Sequence, residues 1–198
     1  MNHHDRNLEQ CQHYLDLQCT SVYFDFMLIR KLTASDGEIF RDFRIEMCRE
    51  SPEAFSDTPE EVAAFSDEKV KSTTTPSAVY PEKFILAAFE GERLLATVAF
   101  YREENFKARH RGWIWGVYVR PEARGKGISR QLMKQVIEET SRIDGLEILG
   151  LVVSSTQTGA RTLYASLGFI TTGLFLDAYK FDEGHYVDHE IMMLRLKK

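Results

Sequence analysis

The segment Arg120-Pro121-Glu122-Ala123-Arg124-Gly125-Lys126-Gly127-Ile128-Ser129-Arg130 constrains this chain more than any other. An apolar run, Trp113-Ile114-Trp115-Gly116-Val117-Tyr118-Val119, enters it. A helical pattern leaves it, with Ile128, Leu132 and Val136 four residues apart. Strand, glycine-bearing basic turn and helix in this order aim backbone N–H groups at an anion. The first N–H groups of a helix have no partner within it, and the helix dipole favours negative charge there. Gly125 and Gly127 let the backbone approach closely because no Cβ stands in the way. Arg120, Arg124, Lys126 and Arg130 against Glu122 give the segment a local charge of +3, in a chain of net charge −5. The turn attracts an anion that the chain as a whole repels.

Two familiar anion loops do not fit. A Walker loop needs a glycine five positions before Gly125-Lys126, where Arg120 stands, and Ser or Thr after the lysine, where Gly127 stands. A dinucleotide fingerprint needs a third glycine at Arg130. A glycine-bearing junction that binds nothing is the structural alternative at this point.

The rest of the chain reads as one globular domain. A length of 198 residues, 43% hydrophobic and 28% charged, suffices for a full core. The acidic balance argues against a nucleic-acid binder. No run is long and apolar enough for a membrane span, and no signal peptide is visible. Cys11, Cys19 and Cys48 have no metal-site spacing and cannot all pair, which points to a reducing, cytoplasmic setting.

Residues 1–26 read as an N-terminal extension, with Leu15, Leu17, Val22, Tyr23, Phe24 and Phe26 able to dock part of it, and residues 27–198 as the single domain. A first strand is expected from Met27 to Leu32. A helix follows, opened by a Ser35–Glu38 capping box and carrying Ile39, Phe40, Phe43 and Met47 as its stripe. A second box, Thr58 with Glu61 around Pro59, opens a helix to about Ser72, and residues 73–81 read as a loop. Phe84–Phe89 and Leu94–Tyr101 form a hairpin about Glu90-Gly91-Glu92. After the strand at Trp113–Val119 a helix of about 17 residues is expected, then a strand at Glu147–Val153. A helix at Thr158–Leu167 ends at Gly168, and strands at 169–181 and 186–196 close the chain. On the 113–119 strand, Trp113 and Trp115 share one face by alternation, and Ile114 and Tyr118 the other. This order implies an α/β mixed sheet with helices on both faces.

The turn does not stand alone. Val117 to Ile128 resembles the acetyl-CoA segment of the GNAT superfamily of acyltransferases, whose pattern is Gln/Arg-x-x-Gly-x-Gly/Ala. Arg124 and Gly127 match it, and Ser129 stands at the small-residue position. About 30 residues on, Ala160-Arg161-Thr162-Leu163-Tyr164-Ala165-Ser166-Leu167-Gly168-Phe169 resembles the second family segment, Ala-x-x-Leu-Tyr-x-x-x-Gly-Phe. The resemblance covers about Met27 to Leu196. It implies a GNAT-type acyl-CoA N-acyltransferase fold, a central mixed sheet of six or seven strands whose central strand splays from its neighbour at a bulge. Gly116 is placed to ease such a bulge.

By the same resemblance, Val117, Tyr118 and Val119 offer backbone to the pantetheine arm of acetyl-CoA. The amides of Gly125, Lys126, Gly127, Ile128, Ser129 and Arg130, beside Arg124, hold its pyrophosphate. Gln157 stands where the family often has a pantetheine-binding Asn, and Val152 where it often has a general-base glutamate. The implied reaction is acetyl transfer to a small-molecule or peptide amine, without a metal. Tyr164 would be the acid for the leaving thiolate, and the Val119 N–H would stabilise charge on the thioester oxygen. Tyr164 also lies on an apolar stripe, where a core aromatic is the plain alternative. For the base, Glu103, Glu104, Asp177, His185, His189, Glu190 and ordered water stand equal. A CoA-binding domain without turnover is the runner-up, supported by Val152, Gln157 and Ser129. An unrelated anion-binding module is the third reading. The resemblance leaves a homodimer open.

Overall fold

The computed structural model describes residues 27–75, 82–181 and 184–197. The expected extension over residues 1–26, the docking residues named within it, Cys11, Cys19 and most of the 73–81 loop lie outside the described residues.

Among the described residues seven strands form one sheet. They are β1 (Met27–Lys31), β2 (Lys83–Glu90), β3 (Arg93–Arg102), β4 (Arg111–Val119), β5 (Ile148–Ser154), β6 (Ile170–Lys180) and β7 (Tyr186–Arg195), in the order β1-β2-β3-β4-β5-β7-β6. β4 and β5 run parallel, and the other neighbours antiparallel. The helices are α1 (Gly37–Glu50), α2 (Pro59–Ala63), α3 (Asp67–Thr74), α4 (Ile128–Ser141) and α5 (Thr158–Ser166).

The sheet is covered on both faces because its inner strands are apolar on both. Along β2, Ile85, Ala87 and Phe89 pack with Phe40, Phe43 and Met47 of α1, whose three- and four-residue spacing makes one helical stripe. Leu86 and Ala88, on the alternate positions, pack toward Ile128, Leu132, Met133 and Val136 of α4. Each large side chain so buried contributes about 1.5–3 kcal/mol relative to exposure.

Three local readings are corrected. The first capping acid is Asp36 and not Glu38. A short 3-10 turn (Ala34–Asp36) precedes α1 and brings the Asp36 carboxylate to the Thr33 N–H (2.7 Å) and hydroxyl (2.9 Å). The helix expected from Thr58 to Ser72 is two helices. Thr58 and Glu61 form the expected box, but Ser66 supplies a second cap, its hydroxyl accepting from the Lys69 N–H. α4 has 14 residues rather than about 17, and the chain turns at Gly145 with φ +70°.

A fourth correction bears on function. Ile114 and Tyr118 do not share a face. Ile114 packs with the α4 side, whereas Tyr118 packs with the α1 side beside Trp115. The cause is a bulge. Ala99 pairs with Trp115 and Thr97 with Tyr118, so β4 spends one extra residue there. Gly116 absorbs it at φ +59°, and the Thr97 hydroxyl donates to its carbonyl at 2.8 Å.

Candidate active site

β4 and β5 pair at only three positions, Arg111 with Ile148, Gly112 with Leu149 and Trp113 with Gly150. Beyond Trp113 they part, and β5 continues against β7 alone up to Ser154. The Gly116 bulge lies where β4 leaves its neighbour. The Arg120 N–H donates to the Leu95 carbonyl while Ala96 faces Val119, which makes that facing pair a non-hydrogen-bonded one. The Val119 N–H and C=O therefore point away from β3, into the gap, and those of Val117 do so by alternation. Tyr118, expected beside them, is oriented differently. Its backbone points back at β3, and its ring packs on Phe43 and Phe55 in the α1-side core. Burial, then the charge of Glu46, push the Tyr118 hydroxyl up to about 12.

The basic turn continues from β4. Gly125 and Gly127 both hold left-handed φ, +77° and +76°. Gly127 is the residue before α4 and offers no side-chain cap. The first intrahelical bond runs from the Gln131 N–H to the Gly127 carbonyl, so the amides of Ile128, Ser129 and Arg130 precede it. Ile128 is itself buried, which anchors the helix start on the core.

The three arginines of the turn divide. Arg120 is spent on the fold, pairing with Glu46 at 2.8 Å and donating to the Leu94 carbonyl. Glu122 is paired with Arg93. Arg124 donates through Nε to the Val119 carbonyl at 3.0 Å, and Arg130 donates to the Ser166 hydroxyl at 2.9 Å. Among the described residues neither Arg124 nor Arg130 has a carboxylate partner, and both are exposed. The local positive charge thus survives folding where the helix amides are open.

Tyr164 projects from α5 into the α4-side core, with its ring 6.1 Å from that of Phe169. Burial pushes its hydroxyl above the ordinary phenol range, so it stays protonated at neutral pH. No hydrogen-bond partner for that hydroxyl occurs among the described residues. Gln157 stands at the start of α5, where its carbonyl accepts from the Arg161 N–H and its side chain caps nothing.

Two cavities open at Trp115 of β4. One of about 490 Å³ is lined by Lys83, Phe84, Tyr101, Arg102, Glu103 and Trp115 among others. A smaller one of about 230 Å³ is lined by Trp113, Gly116, Val152, Tyr179 and His189, with Asp57 at its side. Arg44, Tyr101 and Trp115 border both. Val152 is 43% exposed and faces the smaller cavity without a titratable group.

The six side-chain candidates for a base separate cleanly. Glu190 is buried and engaged by Arg161 and by the Thr171 hydroxyl. Glu103 accepts from Trp113 Nε1 at 2.7 Å, and Glu104 is exposed at the larger cavity. Asp177 and His185 are exposed and line neither cavity. His189 is 4% exposed and lines the smaller one. Sequence reasoning missed Thr97, Arg44 and Asp57. Arg44 and Asp57 form an ion pair on the cavity wall, and nothing in their sequence context pairs them.

The sequence model of the Acetyltransferase (GNAT) family matches residues 41–169. No curated protein matches the chain. Among solved structures, an acetyltransferase of the GNAT family from Streptococcus pneumoniae superposes with a TM-score of 0.74 at 21% identity, covering 85% of this chain and 99% of its own. A putative acetyltransferase from Salmonella typhimurium with its cofactor acetyl-CoA, yncA, gives 0.66 at 22% identity, covering 87% and 95%. The ribosomal-protein-S18-alanine N-acetyltransferase of Escherichia coli gives 0.63 at 20% identity, covering 87% and 95%. At these identities the likeness is one of fold.

Proposed function

The chain belongs to the Acetyltransferase (GNAT) family, and on that premise we propose that it transfers an acetyl group from acetyl-CoA to a primary amine. The amine belongs to a small molecule or a peptide, both substrates are bound together, and no acyl-enzyme forms. One observation carries this reading. The strand pair that ends at Trp113 and Gly150 leaves backbone of Val117 and Val119 unpaired with β5, and the same strand delivers the uncapped start of α4 one turn later. A strand-like arm ending in a pyrophosphate fits that combination.

The residues present fit such a donor. Val117 and Val119 would hold the pantetheine arm, with Gln157 at the end of the gap. The amides of Gly125 to Arg130, with the Arg124 and Arg130 guanidiniums, would hold the pyrophosphate. Bound acetyl-CoA supplies an acyl group on a thiol leaving group. The chain contributes position, a proton and charge stabilisation. The Val119 N–H, directed into the gap, is placed to donate to an oxygen that gains negative charge. The Tyr164 hydroxyl is kept protonated by burial and has no structural partner to release, which suits a proton donor to sulfur. The acceptor would enter through the larger cavity, past Tyr101 and Trp115.

Calorimetry with acetyl-CoA, followed by thiol release across a panel of amines, tests the reading. Micromolar binding at moderate salt and release with at least one amine class are expected. Binding without release from any amine would favour a CoA-binding domain that lacks turnover. Tyr164→Phe should lower kcat about 10²-fold and leave acetyl-CoA affinity unchanged. An unaltered turnover rate across the pH range would remove the acid role.

A further inference from the structure

We propose that His189 is the base that takes the proton from the acceptor amine, in place of the carboxylate that position 152 does not provide. The inference rests on the transferase reading above.

The sheet register brings His189 to the right place. It faces Ser154 across the β5–β7 pair, while Ile191 faces Val152. Side chains two residues apart on a strand share a face, so His189 and Val152 lie on the same face of the sheet. Both line the cavity of about 230 Å³, together with Trp113 and Gly116, which mark where β4 and β5 part. The histidine is therefore on the cavity wall beside the gap, one strand over from the empty position.

Its chemistry is also set. Nε2 lies 3.0 Å from the Glu53 carbonyl oxygen. A carbonyl only accepts, so Nε2 carries the proton of the neutral ring and the Nδ1 lone pair is left to accept another. The Tyr179 ring stands edge-on at 4.3 Å between centroids and fixes the imidazole plane. Among the described residues the charged and titratable groups around it are few. Arg44 and Asp57 line the same cavity but are paired with each other. Tyr101 and Tyr179 line it too, and burial raises both hydroxyls. The Glu53 carboxylate is turned to the Thr156 hydroxyl at 2.6 Å. Glu190 belongs to the opposite face, where Arg161 holds it.

The step balances. The amine nitrogen forms a bond to the acetyl carbon and gives its proton to His189 Nδ1, directly or through one water. The carbon–sulfur bond breaks with its electron pair on sulfur, which takes the Tyr164 proton. The proton gained by His189 and the proton lost by Tyr164 are equal in number, so exchange with solvent resets both.

His189→Gln tests the proposal, because the glutamine amide can still donate to the Glu53 carbonyl but cannot accept a proton. With an amine that wild type acetylates, we expect kcat to fall more than tenfold and the acidic limb of its pH profile to disappear. The acetyl-CoA affinity should stay the same. A loss below tenfold, or an acidic limb that stays in place, overturns the assignment whatever else changes. Nitrogen-15 spectra of the ligand-free protein give a second reading that needs no turnover. An Nε2–H tautomer is expected, and an Nδ1–H tautomer overturns the proposal even in an active enzyme. Failure of wild type to acetylate any amine sinks the transferase reading and this one with it. An active wild type beside an unaffected variant sinks this one alone.

Discussion

Two helices of this protein begin in opposite ways. The turn that leads into α1 is closed by a side-chain acid. The Asp36 carboxylate takes the Thr33 N–H and hydroxyl and is clamped by Arg30 at 2.6 and 2.8 Å. α4 begins on Gly127, with no side-chain cap, and the guanidiniums of Arg124 and Arg130 nearby have no carboxylate partner among the described residues. A closed helix start with its own anion contributes to the fold. A start that keeps its amides open and gathers cations forgoes a cap worth about 1 kcal/mol, and the return is a place for an external anion. The contrast separates scaffold from site within one sheet.

The largest effect should come from making α4 start as α1 does, on a carboxylate. A Cβ added at Gly127 would meet open space, so Gly127→Asp adds charge without a clash. Asp also tolerates the left-handed φ better than most residues. Opposing a pyrophosphate instead of binding it removes at least one charge-assisted interaction of about 1.5–3 kcal/mol. Calorimetry should show acetyl-CoA affinity falling about 10²-fold. Gly127→Ala carries a similar backbone strain and no charge, so a loss equal to that of the aspartate variant would break the comparison.

Arg124→Gln is the next test. Its Nε–H to the Val119 carbonyl ties the turn back to the gap, and its exposed guanidinium supplies charge. A loss of about tenfold in acetyl-CoA affinity is expected, one charge-assisted contact being worth about 1.5 kcal/mol. The loss should shrink as salt rises, because the contact is exposed. An effect independent of salt would make Arg124 a brace for the strand only.

The two starts also differ in how far the sequence declares them. The open one is legible, because only glycine tolerates left-handed φ without cost, so Gly125 and Gly127 mark it by residue type. The same logic reaches Gly116 and the splay. The consequence for side-chain parity escapes it, since alternation counted without the extra residue puts Tyr118 on the wrong face. The closed start is misplaced by two residues, because Ser35 and Glu38 satisfy the box pattern as well as Thr33 and Asp36 do. Arg30 is what favours Asp36, and a clamp from the preceding strand has no local signature. The acceptor side is illegible for the same reason at longer range. Arg44 meets Asp57, and His189 meets Glu53, only because α1, the segment after it and β7 converge there.

The smallest effect belongs to the closed start, and its pH dependence identifies it. The hydrogen bond from Arg30, with help from Thr33, holds the Asp36 carboxyl down to about 2. That lies below the ordinary unfolded value of about 3.9. A group lowered by folding contributes its full stabilisation above its unfolded value and loses it as pH falls through the folded one. Asp36→Asn should therefore cost about 1 kcal/mol at pH 6, the scale of a cap or a partly exposed ion pair. Urea midpoints at pH 3 should show about half that difference between variant and wild type. Acetyl-CoA affinity should not move at either pH, because the turn into α1 carries its own carboxylate, which Arg30 holds and which repels another anion. A difference in stability that persists in full at pH 3 would mean that the Asp36→Asn variant fails for want of shape rather than charge. α1 would then be closed by geometry alone, and the contrast with α4 would no longer be electrostatic.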